Sequence, residues 1–358
     1  MAEANPALEQ FLKGIPLFSL VEAKEMMDIL RLLRPVELEP GHALFKEGDP
    51  GRAMWILSAG CEVSISTTPA GSKRPIAVAY AREGEVVGEM ALVDDGPRSG
   101  TAVVVNGGHA HEIQAADFHA LRDAFNPAAF KVLRRICIDL CRRLRATNER
   151  IVPSGHQSIE TPPLPKGPRA TSELLDRFPP FKPLPALVKL ALAQKLHVID
   201  VHGVTPLFAE GEPSDGIYFV VEGEVSVGRN GKTLANLVPG TMFGLVSAID
   251  SGARSASCLT TGPAKLLKLE DSDFDALFAS GHRFAFQIVD LVARQLVGHL
   301  RAANSMIPLP GKPAGKAGEA KPMDLALKNP KPDEDGMPPL ELEIDIEESL
   351  SSAGDLLG

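Results

Sequence analysis

The chain has 358 residues, enough for two domains of ordinary size, and 44% of them are apolar against 23% charged, the balance of a globular protein with a sizeable core. A net charge of −9 argues against nonspecific nucleic-acid binding, and no run of 18 apolar residues exists to span a bilayer. The opening MAEANPALEQFLKG lacks the basic region and apolar core of a secretory signal, and Cys61, Cys137, Cys141 and Cys258 show no metal-ligand spacing, so they read as reduced, buried thiols of a cytoplasmic protein.

A helical segment comes first, with Leu20, Met26, Ile29, Leu32 and Leu33 at helical spacing. Short apolar runs broken by Gly and Pro follow: HALFKEGD, AMWILSAG, CEVSIST and PIAVAYA. They predict strands of a small antiparallel barrel or jelly roll. The stretch VVGEMALVDDGPRSGTA (86–102) comes next, with two more strands expected over 101–105 and 109–115. A closing helix is predicted over 117–151, where apolar residues 130, 133, 137, 140 and 144 step by three and four. Cys137 and Cys141 belong to that packing face, and the neighbouring arginines read as a solvated face. The apolar stripe is a candidate homodimer seam, here and on the matching helix of the second copy.

Residues 153–172, PSGHQSIETPPLPKGPRATS, are rich in Pro, Ser, Thr and Gly and read as a linker. The pattern then starts again. Phe18, Phe45, Gly48, Pro50, Trp55 and Gly60 return 163 residues later as Phe181, Phe208, Gly211, Pro213, Tyr218 and Gly223. Residues 86–102 return 156 residues later as MFGLVSAIDSGARSASC, so the first copy is seven residues longer in between, around a hairpin tip at 66–75. A repeat this long is a duplicated domain, not a solenoid unit. The expected fold is mainly β with flanking α. It has two tandem antiparallel jelly-roll barrels over 1–152 and 173–307, each with an N-terminal helical segment and a C-terminal closing helix. Residues 308–358 carry five lysines and eleven acidic residues, and are expected to form a disordered acidic tail. Its end, 338–358, alternates acids with Leu and Ile, and reads either as solvated chain or as a motif that docks on a protein partner.

Residues 88–99 carry the chemistry. A phosphate site needs backbone N–H donors at a helix start, a glycine for close approach, and a firm cation whose planar fork matches phosphate oxygens. Gly88, a helical turn at 89–92, Arg98 and Ser99 supply these. Glu89 would repel a phosphate, but suits a ligand that also offers hydroxyl donors, as a ribose phosphate does. The bland reading is an empty pocket in which Glu89 and Arg98 pair with each other.

This stretch resembles the phosphate-binding cassette of the cyclic nucleotide-binding domain family, F-G-E-x-A-L, a spacer, then R-[ST]-A, with Val87 for the usual Phe. LFKEGDPGRAMWILSAGCEVSI resembles that family's glycine-marked strands, and the resemblance covers about residues 10–150 and 173–306. The tandem copies are similar to a regulatory-subunit arrangement. The resemblance implies a non-enzymatic sensor whose ligand, not cofactor, is cyclic AMP or cyclic GMP. Glu89 would accept from the ribose 2′-hydroxyl, and Arg98 would pair with the cyclic phosphate. Ser99 and the N–H groups around Met90, Ala91 and Leu92 would complete the cradle, and Gly88 would admit the ligand. In the second copy Leu245 stands for Glu89 while Gly244, Arg254 and Ser255 remain, so a weak or dead site is expected there. His109 and His111 share a strand face without further ligands, so no metal is expected. No catalytic motif appears. Two alternatives stay open: a constitutive scaffold with vestigial pockets, and a transcription regulator whose DNA-binding surface the sequence does not mark.

Overall fold

The computed structural model describes residues 6–68, 74–155, 161–162, 164–281 and 283–307. The acidic tail, its docking segment 338–358, the hairpin tip 69–73 and linker residues 156–160 lie outside these.

The first copy opens with α1 (Pro6–Lys13) and α2 (Ala23–Leu30), the latter started by a capping box between Glu22 and Glu25. Eight strands follow: β1 (Arg34–Leu38), β2 (Ala43–Phe45), β3 (Ala53–Leu57), β4 (Glu62–Thr67), β5 (Ile76–Ala81), β6 (Val86–Val87), β7 (Thr101–Asn106) and β8 (Gly108–Gln114). They form two four-stranded sheets, ordered β1-β8-β3-β6 and β2-β7-β4-β5, with every pairing antiparallel. Strand β1 escaped the sequence reading because RPVEL holds a proline and buries only Leu38 fully.

The closing helix is not one rod over 117–151. It breaks into α3 (Ala115–Asp123) and α4 (Pro127–Ile151). The cause is local. A proline disfavours helical backbone in the residue before it. Asn126, with extended φ and ψ, accepts a hydrogen bond from the Ala128 N–H as N-cap, and Phe125 turns the chain at φ 54°.

The second copy repeats the plan. Helices α5 (Ser172–Asp176) and α6 (Ala186–Ala193) precede β9 (Leu196–Val201), β10 (Pro206–Phe208), β11 (Ile217–Glu222), β12 (Val225–Arg229), β13 (Lys232–Leu237) and β14 (Met242–Phe243). Then come α7 (Leu245–Asp250), β15 (Ser257–Thr260), β16 (Ala264–Leu269), α8 (Asp271–Ala279) and α9 (Arg283–Ser305). Its sheets, β9-β16-β11-β14 and β10-β15-β12-β13, match the first barrel strand for strand. The end of the segment read as a linker lies along this barrel: Arg169 bridges to His197, and Ala170 is buried.

Each barrel has its own apolar interior, around Leu57, Val63 and Val104 in the first and Tyr218, Val220 and Leu266 in the second. A larger core lies between the helices and joins both copies. There Cys137, Leu140, Cys141 and Leu144 of α4 and Val289, Val292, Leu296 and Val297 of α9 belong to one buried cluster. This corrects the homodimer expectation: α4 and α9 pack on each other, so the seam expected between two chains is formed within one. The four cysteines are free and buried, as expected.

Candidate functional site

The loop between β6 and β7 begins at Gly88, whose φ of 86° suits glycine. A side chain there would also collide with Arg98, whose Nη1 stands 2.7 Å from the place of a Cβ. The glycine therefore makes room for the arginine, where room for the ligand was expected. Glu89–Leu92 form a single 3₁₀ turn. Leu92 is fully buried in the helical core and pins the turn from below; unlike Glu89, Met90 and Ala91 it does not line the pocket. The Ala91 N–H, expected in the cradle, donates to Gly88 O inside the turn.

Arg98 returns beside the turn because residues 96–98 are stitched to the turn after β2. Its own N–H donates to Asp49 O, and its C=O accepts from Gly48 N–H. The guanidinium is buried. It donates to Gly88 O at 3.1 Å and Ala53 O at 2.6 Å, and lies over the Phe45 ring, 4.1 Å from its centroid. Among the described residues no carboxylate makes an ion pair with it, and its buried Nε has no partner. Burial holds its pKa below the ordinary arginine value, a sign of a charge short of compensation.

Glu89 and Arg98 do not pair with each other. Glu89, 5% exposed, accepts from Arg143 of α4 at 2.5 Å. Ser99 Oγ points to Met90 Sδ at 3.8 Å. Gly88, Glu89, Met90, Ala91, Arg98 and Ser99 thus line one cavity of about 460 Å³, within the range of small-ligand sites. Its far wall holds residues the sequence reading missed: Arg143 and Thr147 of α4, and Leu300, Arg301 and Asn304 of α9, which belongs to the second copy. A signal for them was present. LRATN (144–148) returns as LRAAN (300–304), at the cassette's own offset of 156.

The second barrel keeps the framework around a smaller cavity. Arg254 donates to Gly244 O and Gly216 O, as Arg98 does to the matching carbonyls. It also donates to Ser247 Oγ and forms an ion pair with Asp215, so its charge is met inside the protein. Leu245 replaces Glu89, and His299 replaces Arg143. The cavity lined by Gly244, Arg254 and Ser255 shrinks to about 110 Å³ because the rings of Phe208, Tyr218 and Phe243 pack with centroids 5.2–6.0 Å apart, and Val87 stands where Phe243 does.

Residues 35–125 and 202–280 each match the family model of the cyclic nucleotide-binding domain. The chain thus carries two tandem copies of that domain. It is similar to the cAMP-dependent protein kinase regulatory subunit of Dictyostelium discoideum, 23% identical over 77% of this chain and 74% of that one. A CRP-like cAMP-activated global transcriptional regulator of Mycobacterium tuberculosis is 28% identical over 35% of this chain and 58% of its own length. Among solved structures, the regulatory domain of Toxoplasma gondii PKA with cAMP aligns at 20% identity over 78% of this chain and 95% of that one, with a TM-score of 0.31. Among the described residues no helix is long and apolar enough to cross a membrane, and no group of side chains could hold a metal ion.

Proposed function

We propose that the chain is a regulatory protein that senses a cyclic nucleotide in its first barrel and acts through a protein partner, without catalysis. The observation that carries this is Arg98, a buried cation without a carboxylate partner at the floor of a cavity of ligand size. An anion there would complete its coordination. Glu89 sits across the same cavity, ready to accept from ribose hydroxyls once Arg143 shares or yields it. Ser99 adds a hydroxyl by turning from Met90. Cyclic AMP is the first choice over cyclic GMP, because the relatives are named for cAMP.

In this reading residues 1–152 form the sensing domain and 173–307 a domain that no longer binds, with the charge of Arg254 paired by Asp215. The free thiols accord with a cytoplasmic setting. Ligand would shift the chain toward whichever arrangement of loop 88–99 and α4 binds it better.

Calorimetric titration with cyclic AMP and with cyclic GMP tests the reading. Binding at one site per chain is expected, weakened at least about 100-fold in Arg98→Ala, which removes the charge-assisted bonds to phosphate. No heat and no thermal shift at millimolar nucleotide would overturn it.

A further inference from the structure

The cassette loops are gripped by helices of the opposite domain, and the grips are related by the repeat. Arg301 of α9 reaches the first loop and binds both oxygens of Asp94, at 2.6 and 2.8 Å. Arg145 of α4 reaches the second loop and binds both oxygens of Asp250, at 2.5 and 2.8 Å. Arg301 follows Arg145, and Asp250 follows Asp94, by the same 156 residues. Each aspartate also accepts from the N–H two residues on, at Gly96 and at Gly252. Both glycines are needed. A Cβ at Gly96 would overlap the Arg301 guanidinium, and one at Gly252 would lie 2.7 Å from Arg145 Nη2. A fork of this kind fixes direction as well as distance.

The clamps are alike, but their settings are not. The Arg145 clamp holds a loop beside the smaller cavity of about 110 Å³. The Arg301 clamp holds the four residues leading to Arg98, and Arg301 itself lines the open cavity with its Nε buried and unpartnered.

We propose that Arg301 is a positioning residue of the first-barrel site: by gripping Asp94 it sets the loop that presents Arg98, so the second domain completes the ligand site of the first. The inference rests on the reading of that cavity as a nucleotide site. It gives the silent second domain a task, and it makes ligand occupancy felt at the α4–α9 seam without a further messenger. Ligand and α9 docking are then coupled reciprocally, as linkage requires.

The test is titration of the full chain with cyclic AMP, with ligand-free thermal unfolding measured alongside. Arg301→Ala is expected to weaken binding about tenfold at unchanged stoichiometry. Gly96→Ala, which crowds the guanidinium without removing a charge, should weaken it in the same direction. The swap Asp94→Arg with Arg301→Asp should restore most of the loss. Arg145→Ala is the control: it breaks the matching clamp and should lower the unfolding temperature comparably while leaving affinity unchanged. Wild-type affinity in Arg301→Ala overturns the inference alone, and so does equal weakening by Arg145→Ala, which would mark general loosening. Absence of binding by the wild-type chain overturns the site reading and this inference with it.

Discussion

The two barrels share a strand order and a buried arginine on the same pair of carbonyls, yet the cavity beside it is about 460 Å³ in one and about 110 Å³ in the other. In the first, Arg98 donates to two carbonyls and lies over Phe45 with no carboxylate paired to it among the described residues, and Glu89 pairs with Arg143. In the second, Asp215 pairs with Arg254, Leu245 and His299 hold the places of Glu89 and Arg143, and Phe243 stands in the place of Val87. The exposed Arg52 holds the place of Asp215 in the first barrel. The second barrel therefore pairs the charge of its arginine from within and narrows the space beside it, while the strand order stays the same.

Returning a carboxylate to the smaller pocket should have the largest effect. Leu245 is 2% exposed, so Leu245→Glu buries a charge without its partner and should cost about 3–5 kcal/mol at pH 7, read by urea unfolding. Adding His299→Arg rebuilds the pair seen between Glu89 and Arg143, and should recover a good part of that loss. If Leu245→Glu alone is neutral, the pocket is wetter than its apolar lining implies.

The reverse change makes the larger pocket resemble the smaller one. Glu89→Leu removes a charge-assisted bond to ligand, about 1.5–3 kcal/mol, or roughly ten- to a hundredfold in affinity. Stability should change little, since the Arg143 side chain is 48% exposed and can turn to water. A Glu89→Leu variant that binds as tightly as wild type would remove Glu89 from the site.

These contrasts also show what the sequence could disclose. The barrels and the cassette were legible because glycine turns and alternating strands are local signals. The apolar stripe of residues 130–144 was equally legible as a stripe, but a stripe does not say what covers it, and α9 proved to be the cover. Pro127 marked the break in the closing helix, although the regular spacing around it argued for one rod. Asp215 lies outside the cassette and meets Arg254 only through the fold, so no motif could name it. The LRATN and LRAAN repeat was in plain view, yet its meaning depends on each helix crossing to the other domain.

His299 offers a smaller effect that appears only with pH. Burial lowers its pKa from an ordinary 6.5 to about 4, and its Nε2 accepts from Gln295 Nε2, a bond that requires a neutral ring. With the folded value below the unfolded one, its contribution is complete above about pH 6.5 and is lost as pH falls toward 4. The loss should be about 2 kcal/mol, less than the full shift would give because part of the residue reaches solvent. His299→Phe should flatten that part of the stability profile; an unchanged profile would place the titration elsewhere.

The smallest effect separates the paired charge from the narrowed space. Asp215 carries Arg254, Tyr218 Oη and Lys268. Burial alone would raise its pKa, but the bonds from Lys268 and Tyr218 and the nearby positive charges outweigh burial and hold it below the ordinary value. Its contribution is therefore full above about pH 4 and lost as pH falls further, below the His299 window. Because the side chain is half exposed, Asp215→Asn should cost only about 1 kcal/mol at neutral pH, a gap that closes in acid. The same variant frees the charge of Arg254 but leaves Leu245 and the ring cluster in place, and a cavity of about 110 Å³ is below the size of small-ligand sites. Titration of Asp215→Asn with cyclic AMP should thus still show one site per chain. A second site would mean that charge compensation alone had closed the pocket, and that the rings yield once Arg254 has an anion to hold.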